Sequence, residues 1–116
     1  MWHWGGLSNK VKAAKVDADV KRLELEDAKE KIALQISQAA FSYQEAFKTY
    51  EATKANLTQA DENLRIADIA FKEGLGTIDE VIAAQTAWLK ANSENIDAEI
   101  NVQMAREYLD KVMGDF

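Results

Sequence analysis

Large and small apolar residues alternate along two long stretches of the chain at the spacing of a coiled coil. In the first stretch, here called the first seam, a large residue recurs at every seventh position, and a small residue follows three positions after each of the first five. Apolar residues that are alternately three and four positions apart form one stripe along a helix. The pattern therefore predicts a helix that packs against a partner through Ile36, Tyr43, Tyr50, Leu57, Leu64 and Phe71, with Ala39, Ala46, Thr53, Ala60 and Ala67 as the small series.

A second seam of the same kind lies further along the chain. Its large series is Val81, Trp88, Asn95, Val102 and Leu109, and its small series is Ala84, Ala91, Ala98, Ala105 and Val112. Rows of alanine place no bulk between two helices, so two such seams can bring their backbones close together. The sequence therefore predicts an all-α fold, a long antiparallel helical hairpin in which the two seams face each other.

The residues between the seams predict where one helix ends and the next begins. Gly74 is the predicted stop, because glycine readily adopts the left-handed conformation that ends many helices. Thr77 followed by Glu80 predicts a capping box, in which the hydroxyl accepts a hydrogen bond from the Glu80 amide and the carboxylate accepts one from the Thr77 amide. Asp79 and Glu80 also suit the positive end of a helix dipole, so we interpret them as start signals and not as catalytic acids.

These signals divide the chain into five segments: residues 1–7, the end of a strand or a linker; 8–73, a long helix; 74–77, the hairpin tip; 78–113, a second helix; and 114–116, a tail. Proline is absent, so nothing interrupts either helix. The second helix is too short to cover the first, and residues 8–35 have no partner within the chain. Because long amphipathic helices are seldom stable alone in water, we expect another chain, or sequence outside this one, to cover them.

Composition and charge argue against several classes of function. The net charge is −6 and acidic and basic residues interleave along the helices, so nucleic-acid binding is not expected. Cysteine is absent, and the single histidine, His3, has no second ligand nearby, which argues against disulfides and metal binding. No carboxylate lies in a context that would bury it, and no apolar run reaches the length of a membrane helix. We expect a soluble piece of protein that is not an enzyme and uses no cofactor.

Three motifs, in this order, resemble the TolC-like outer membrane efflux protein family. The opening Trp2-His3-Trp4-Gly5-Gly6 resembles the residues with which that family leaves its membrane barrel and enters its longest helix. The stretch from Asn63 to Thr86 resembles its periplasmic hairpin tip, and Tyr108 to Gly114 resembles the close of the helix that follows the tip. The resemblance covers essentially the whole chain.

The resemblance implies that the chain is a piece of a larger protein, a periplasmic hairpin of its C-terminal repeat, with residues 1–7 at the end of a barrel strand. Such proteins are homotrimeric passive ducts in the outer membrane and periplasm of Gram-negative bacteria, and other parts of the parent protein contact the membrane. An inner-membrane pump supplies the energy, and a periplasmic adaptor docks on the hairpin tips. The implied docking site is Gly74, Leu75, Gly76 and Thr77. A gate built on the arginine that the best-known member carries is not expected, because Gly76 stands there.

Three alternatives remain open. The chain could be the hairpin of a periplasmic adaptor, which would need strand segments flanking both helices, and residues 115–116 leave no room for one. It could also be a cytoplasmic coiled-coil scaffold, in which the aromatic opening would have no role. The second helix carries a further apolar flank, which either faces a neighbour in a tunnel wall, as we expect, or packs against another copy in a four-helix bundle. That flank consists of Ile82, Leu89, Ile96 and Ile100.

Overall fold

The structure, a computed structural model, describes residues 2–114 and contains two helices over that range. Helix α1 runs Trp2–Lys72, helix α2 runs Ile78–Gly114, and residues 73–77 form the turn between them. The chain divides into two compact units, Met1–Ser37 and Gln38–Phe116. The second unit contains the turn and both helices beside it, so the predicted all-α hairpin is confirmed.

The helix ends differ from the sequence prediction at the N-terminus. Residues 2–7 are helical, where the end of a strand or a linker was predicted. A strand satisfies its backbone hydrogen bonds only beside another strand, whereas a helix satisfies them within itself, and the part of the chain described here offers no strand as a neighbour. Of the predicted tail, Gly114 belongs to α2, while residues 115–116, like Met1, lie outside the described residues.

The core of the hairpin consists of small side chains. Its buried residues are Ala39, Ala60, Val81, Ala91, Ala98 and Val112, all of which belong to the two seams. The larger seam residues of this unit, from Tyr43 to Leu64 and from Trp88 to Leu109, are half-buried. Alanine rows let the two backbones approach closely, and the larger side chains then lie at the borders of the contact instead of filling its centre.

Two side-chain hydrogen bonds connect the helices of the hairpin. Trp88 Nε1 donates to Asp61 Oδ1, and Asn95 Nδ2 donates to Thr53 Oγ1 at 3.2 Å. All ion pairs among the described residues instead lie within α1, at spacings of three or four residues. The pairing of α1 with α2 therefore depends on apolar packing and on these two hydrogen bonds.

The first unit is a helical segment with little burial of its own. From residue 10 to residue 37 the side chains are exposed, apart from half-buried Asp19, Ile32 and Ile36. Its exposed residues include large apolar ones such as Val11 and Leu23. The ion pairs within this segment are exposed and contribute little to its stability. The segment also carries apolar surface that the helix alone does not cover.

Candidate functional site

The tip, residues 74–77, begins with a left-handed glycine that ends α1. Gly74 has φ of 75°, the one positive φ among the described residues. The amide of Leu75 donates to the Ala70 carbonyl at 2.7 Å, and the amide of Gly74 donates to the Phe71 carbonyl at 3.1 Å. These two bonds form a Schellman motif, which satisfies carbonyl groups that the end of a helix would otherwise leave free.

Gly76 lies where the turn returns against α1. A Cβ atom placed at Gly76 would be 3.2 Å from Ala70 Cβ and 3.1 Å from Glu80 Oε2. The Gly76 amide also donates to the Ala70 carbonyl, at 3.1 Å. This position therefore has little room for a side chain, whereas a Cβ at Gly74 would meet nothing within 4 Å.

Thr77 caps the start of α2. Its hydroxyl oxygen accepts a hydrogen bond from the Glu80 amide at 3.2 Å, which is the first half of the predicted capping box. The second half, a bond from the Thr77 amide to the Glu80 carboxylate, is not among the hydrogen bonds of the described residues, and that carboxylate lies over Gly76 instead. Asp79 and Glu80 occupy the first turn of α2, next to the positive end of the helix dipole.

Leu75 is the most exposed large apolar residue between residues 10 and 114. Its side chain is 85% exposed, although the residues on either side of it are fixed by the turn. A hydrophobic contact back onto the preceding helix commonly accompanies a Schellman motif, but an exposure this high leaves little of Leu75 in such a contact. The hairpin therefore ends in an apolar side chain directed at solvent on a well-defined backbone.

Charged residues surround the tip. Lys72 Nζ donates a hydrogen bond to Asp68 Oδ2 at 2.9 Å, and this bond together with the negative charge of the carboxylate raises the pKa of Lys72. Glu73, Asp79 and Glu80 are exposed close to Leu75 in the sequence. Of the four charged residues nearest to Leu75 in the sequence, Lys72, Glu73, Asp79 and Glu80, three are therefore carboxylates.

Phe71 is the exception among the predicted seam residues of the hairpin. It is 42% exposed, whereas the other seam residues from Ala39 to Val112 are buried or half-buried. Phe71 lies in the last turn of α1, where the chain is already leaving the paired region.

The sequence patterns placed Asn95 and Thr53 in the seams but did not predict the hydrogen bond between them. The sequence did offer a signal for this bond, because Asn95 and Thr53 are the polar members of their series.

A second apolar surface lies on α2 away from the seam. Ile82, Leu89 and Ile96 are seven residues apart and about half exposed, and Ile100 lies one turn beyond Ile96 with similar exposure. We call these four residues the lateral surface. Because an α-helix brings residues at this spacing onto one face, the surface forms a strip along α2 that the hairpin does not cover.

The described residues whose pKa values shift are exposed residues of α1. The described part of the chain contains no group of three or more residues able to hold a metal ion. The pKa of Glu62 is lowered by a hydrogen bond from Arg65, and the pKa of Arg65 is raised by the same bond, but both residues are exposed neighbours on one helix. No helix among the described residues is long and apolar enough to cross a membrane.

Comparison with known proteins gives one match. The sequence model of the family described as outer membrane efflux protein matches residues 2–115. No curated protein and no solved structure matches the chain at a significant level. The match includes both helices, the tip and the lateral surface, and so extends over almost the entire chain. The chain therefore belongs to the outer membrane efflux protein family.

Proposed function

We propose that this chain forms one hairpin of the periplasmic tunnel of a homotrimeric efflux duct, and that its tip docks a periplasmic adaptor. Membership of the family implies a channel role in efflux at the outer membrane, and channels of this kind are not enzymes. In the proposed assembly an inner-membrane pump supplies the energy and the hairpin itself uses no cofactor. Other parts of the parent protein make the membrane contact.

The exposure of Leu75 is the observation that supports a docking role for the tip. An 85% exposed leucine contributes almost nothing to the hairpin it belongs to. Transfer of a leucine side chain from water to an apolar site is worth about 1.5–3 kcal/mol, so a partner that buried Leu75 would gain free energy that folding leaves unused. The Schellman motif and the Thr77 cap hold the backbone on both sides, so this gain would need little ordering of the tip.

The lateral surface supports a place in a closed ring of helices. A helix in a ring contacts a neighbour on each side, whereas a helix in an isolated hairpin contacts one. The second seam faces α1, and the lateral surface remains about half exposed in this chain. An ordinary four-helix bundle of two hairpins would also cover this surface, but family membership favours the duct.

The two remaining alternatives are less consistent with the family match. Adaptor hairpins and cytoplasmic coiled-coil scaffolds belong to other classes of protein, and a match over residues 2–115 to efflux proteins favours neither. Both could share the helical hairpin itself, because the hairpin depends only on the seams and the tip. The function of the tip, and not the fold, therefore distinguishes the efflux duct from these two alternatives.

Replacement of Leu75 in the full-length parent protein tests the docking role. Leu75→Asp removes the apolar group and adds a charge at an exposed position, so folding and trimer formation should be normal while export falls strongly. Leu75→Met is the matched control, because it keeps an apolar side chain of similar volume and should retain export. The measurements are thermal stability, trimer content on native gels, drug export in cells, and cross-linking to the adaptor. If export falls only in proportion to a loss of folded protein, Leu75 is a structural residue and the docking role is wrong.

A further inference from the structure

Two polar residues meet between the otherwise mainly apolar seams. Asn95 is the amide-bearing member of the large series of α2, and Thr53 replaces alanine in the small series of α1. Asn95 Nδ2 donates to Thr53 Oγ1 at 3.2 Å, and both residues are half-buried. The Thr53 hydroxyl donates its own hydrogen to the Tyr50 carbonyl at 2.9 Å, which leaves its oxygen free to accept from Asn95. The bond to Tyr50 thus fixes the orientation in which the Thr53 hydroxyl accepts from Asn95.

The other contacts between the two helices do little to select one register. The small series repeat alanine every seven residues, so a shift of α2 by seven positions again places alanine opposite alanine over much of the contact. The ion pairs among the described residues lie within α1 and are unchanged by such a shift. The Trp88–Asp61 hydrogen bond does cross the hairpin, but it is exposed and competes with water.

We propose that Asn95 and Thr53 set the register in which α1 and α2 pair. A shift of seven residues would place Asn95 near Ala46 or Ala60, where the small series offers no side-chain acceptor. A partly buried amide without a partner is costly, because it loses water without gaining a hydrogen bond. A single asparagine in an apolar seam is known to specify register in this way, with some loss of stability.

The Asn95–Thr53 pair matters most for helix pairing between chains, where the turn does not limit shifts in register. Within one chain the short turn already limits shifts, because seven residues would have to leave the helices and enter the loop. Between two copies, α1 of one chain can meet α2 of another without any such constraint. An assembly that brings many similar seams together therefore offers shifted pairings, and those are the arrangements that the Asn95–Thr53 pair disfavours.

Disulfide cross-linking measures the register directly, because the chain contains no cysteine of its own. Thr53 and Ala98 line the same groove between the helices, so the equivalent pair one repeat nearer the tip is Ala60 with Ala91. Ala60→Cys with Ala91→Cys reports the observed register, and Ala60→Cys with Ala98→Cys reports a shift of one repeat. Each pair is oxidised in a thiol–disulfide buffer at equilibrium, and links within and between chains are separated on non-reducing gels.

In this assay, Asn95→Leu should raise the ratio of shifted to observed links by about tenfold, equivalent to about 1.4 kcal/mol. Its melting temperature should be equal or higher, because leucine suits the apolar seam. Thr53→Val should also raise the ratio, with a lower melting temperature, because Asn95 then lacks its acceptor in the observed register. Thr53→Ser keeps the hydroxyl and should keep the original ratio. Asn92→Leu, at a half-buried position three residues before Asn95, is the matched control and should leave the ratio unchanged.

An unchanged ratio in both Asn95→Leu and Thr53→Val would overturn the proposal. So would an equal rise in Asn92→Leu, since it would attribute the effect to added apolar surface. If Asn95→Leu lacks the helical circular dichroism of the parent chain, the comparison of Thr53→Val with Thr53→Ser decides alone. Valine keeps the shape of threonine without the hydroxyl, whereas serine keeps the hydroxyl without the methyl group.

Discussion

Ala98 provides the most direct test of the close approach of the two helices. Its side chain is 4% exposed and it lines the groove between the helices together with Thr53. Ala98→Leu adds three carbon atoms that cannot reach solvent without displacing α1. Ala91 is also buried one repeat away, so the helices cannot separate at Ala98 without losing contact there as well. We therefore expect the substitution to weaken the hairpin.

The expected size of the effect follows from overpacking. Extra methylene groups forced into a well-packed contact cost about 1–3 kcal/mol, so Ala98→Leu should lower the free energy of unfolding by that amount. Ala87→Leu is the matched control, since Ala87 is an exposed alanine on the same helix. Alanine and leucine have similar helix propensities, and exposed substitutions usually change stability by less than about 0.5 kcal/mol.

Urea denaturation followed by circular dichroism at 222 nm would measure both variants against the parent chain. Each chain should be measured at several concentrations, because association between copies also changes the apparent stability. A result in which Ala98→Leu is as stable as Ala87→Leu would show that the helices have room for a large side chain between them. In that case the alanine rows would not be the cause of the close pairing.

Three further predictions concern the tip, the pairing and the assembly. Gly74→Ala should destabilise the chain by about 1 kcal/mol because of the left-handed backbone alone, and Gly74→Asn should destabilise it by less. Gly76→Ala should instead destabilise the chain through steric contact. Thermal melts in which Gly74→Asn was as harmful as Gly74→Ala would contradict this. Cysteines replacing Ala67 and Ala84 should form a disulfide within one chain, and mass spectrometry that found only links between chains would mean that the turn had opened. The 116-residue chain should self-associate through its uncovered apolar residues, and sedimentation showing a fully helical monomer at all concentrations would contradict that expectation.

The helical pairing was predictable because it is encoded in local spacing. A seven-residue repeat specifies which face of a helix is apolar, and Gly74 with Thr77 marks the turn without any knowledge of distant residues. The chain start was not predictable in this way. Alternating aromatic residues and glycines favour a strand only when a neighbouring strand is present, and residues 2–7 are helical in this structure.

Details of the site depended on contacts that spacing does not specify. The position of the Glu80 carboxylate over Gly76, and the bond between Asn95 and Thr53, require the distance between two helices and the rotamers of their side chains. The same is true of the exposure of Leu75, which the spacing of residues does not specify. Its exposure depends on the direction in which the Schellman motif carries the chain away from α1.

The construction of the tip has a consequence for how partner choice could change. Gly74 is required by its backbone conformation, Gly76 by its contact with Ala70, and Thr77 by its role at the start of α2. Leu75 alone carries a side chain with no structural task, so it can be exchanged without disturbing the scaffold that presents it. Under the proposed docking role, related ducts could diverge in adaptor preference through substitutions at this one position. A small library at Leu75 would then sample partner preference on an unchanged hairpin.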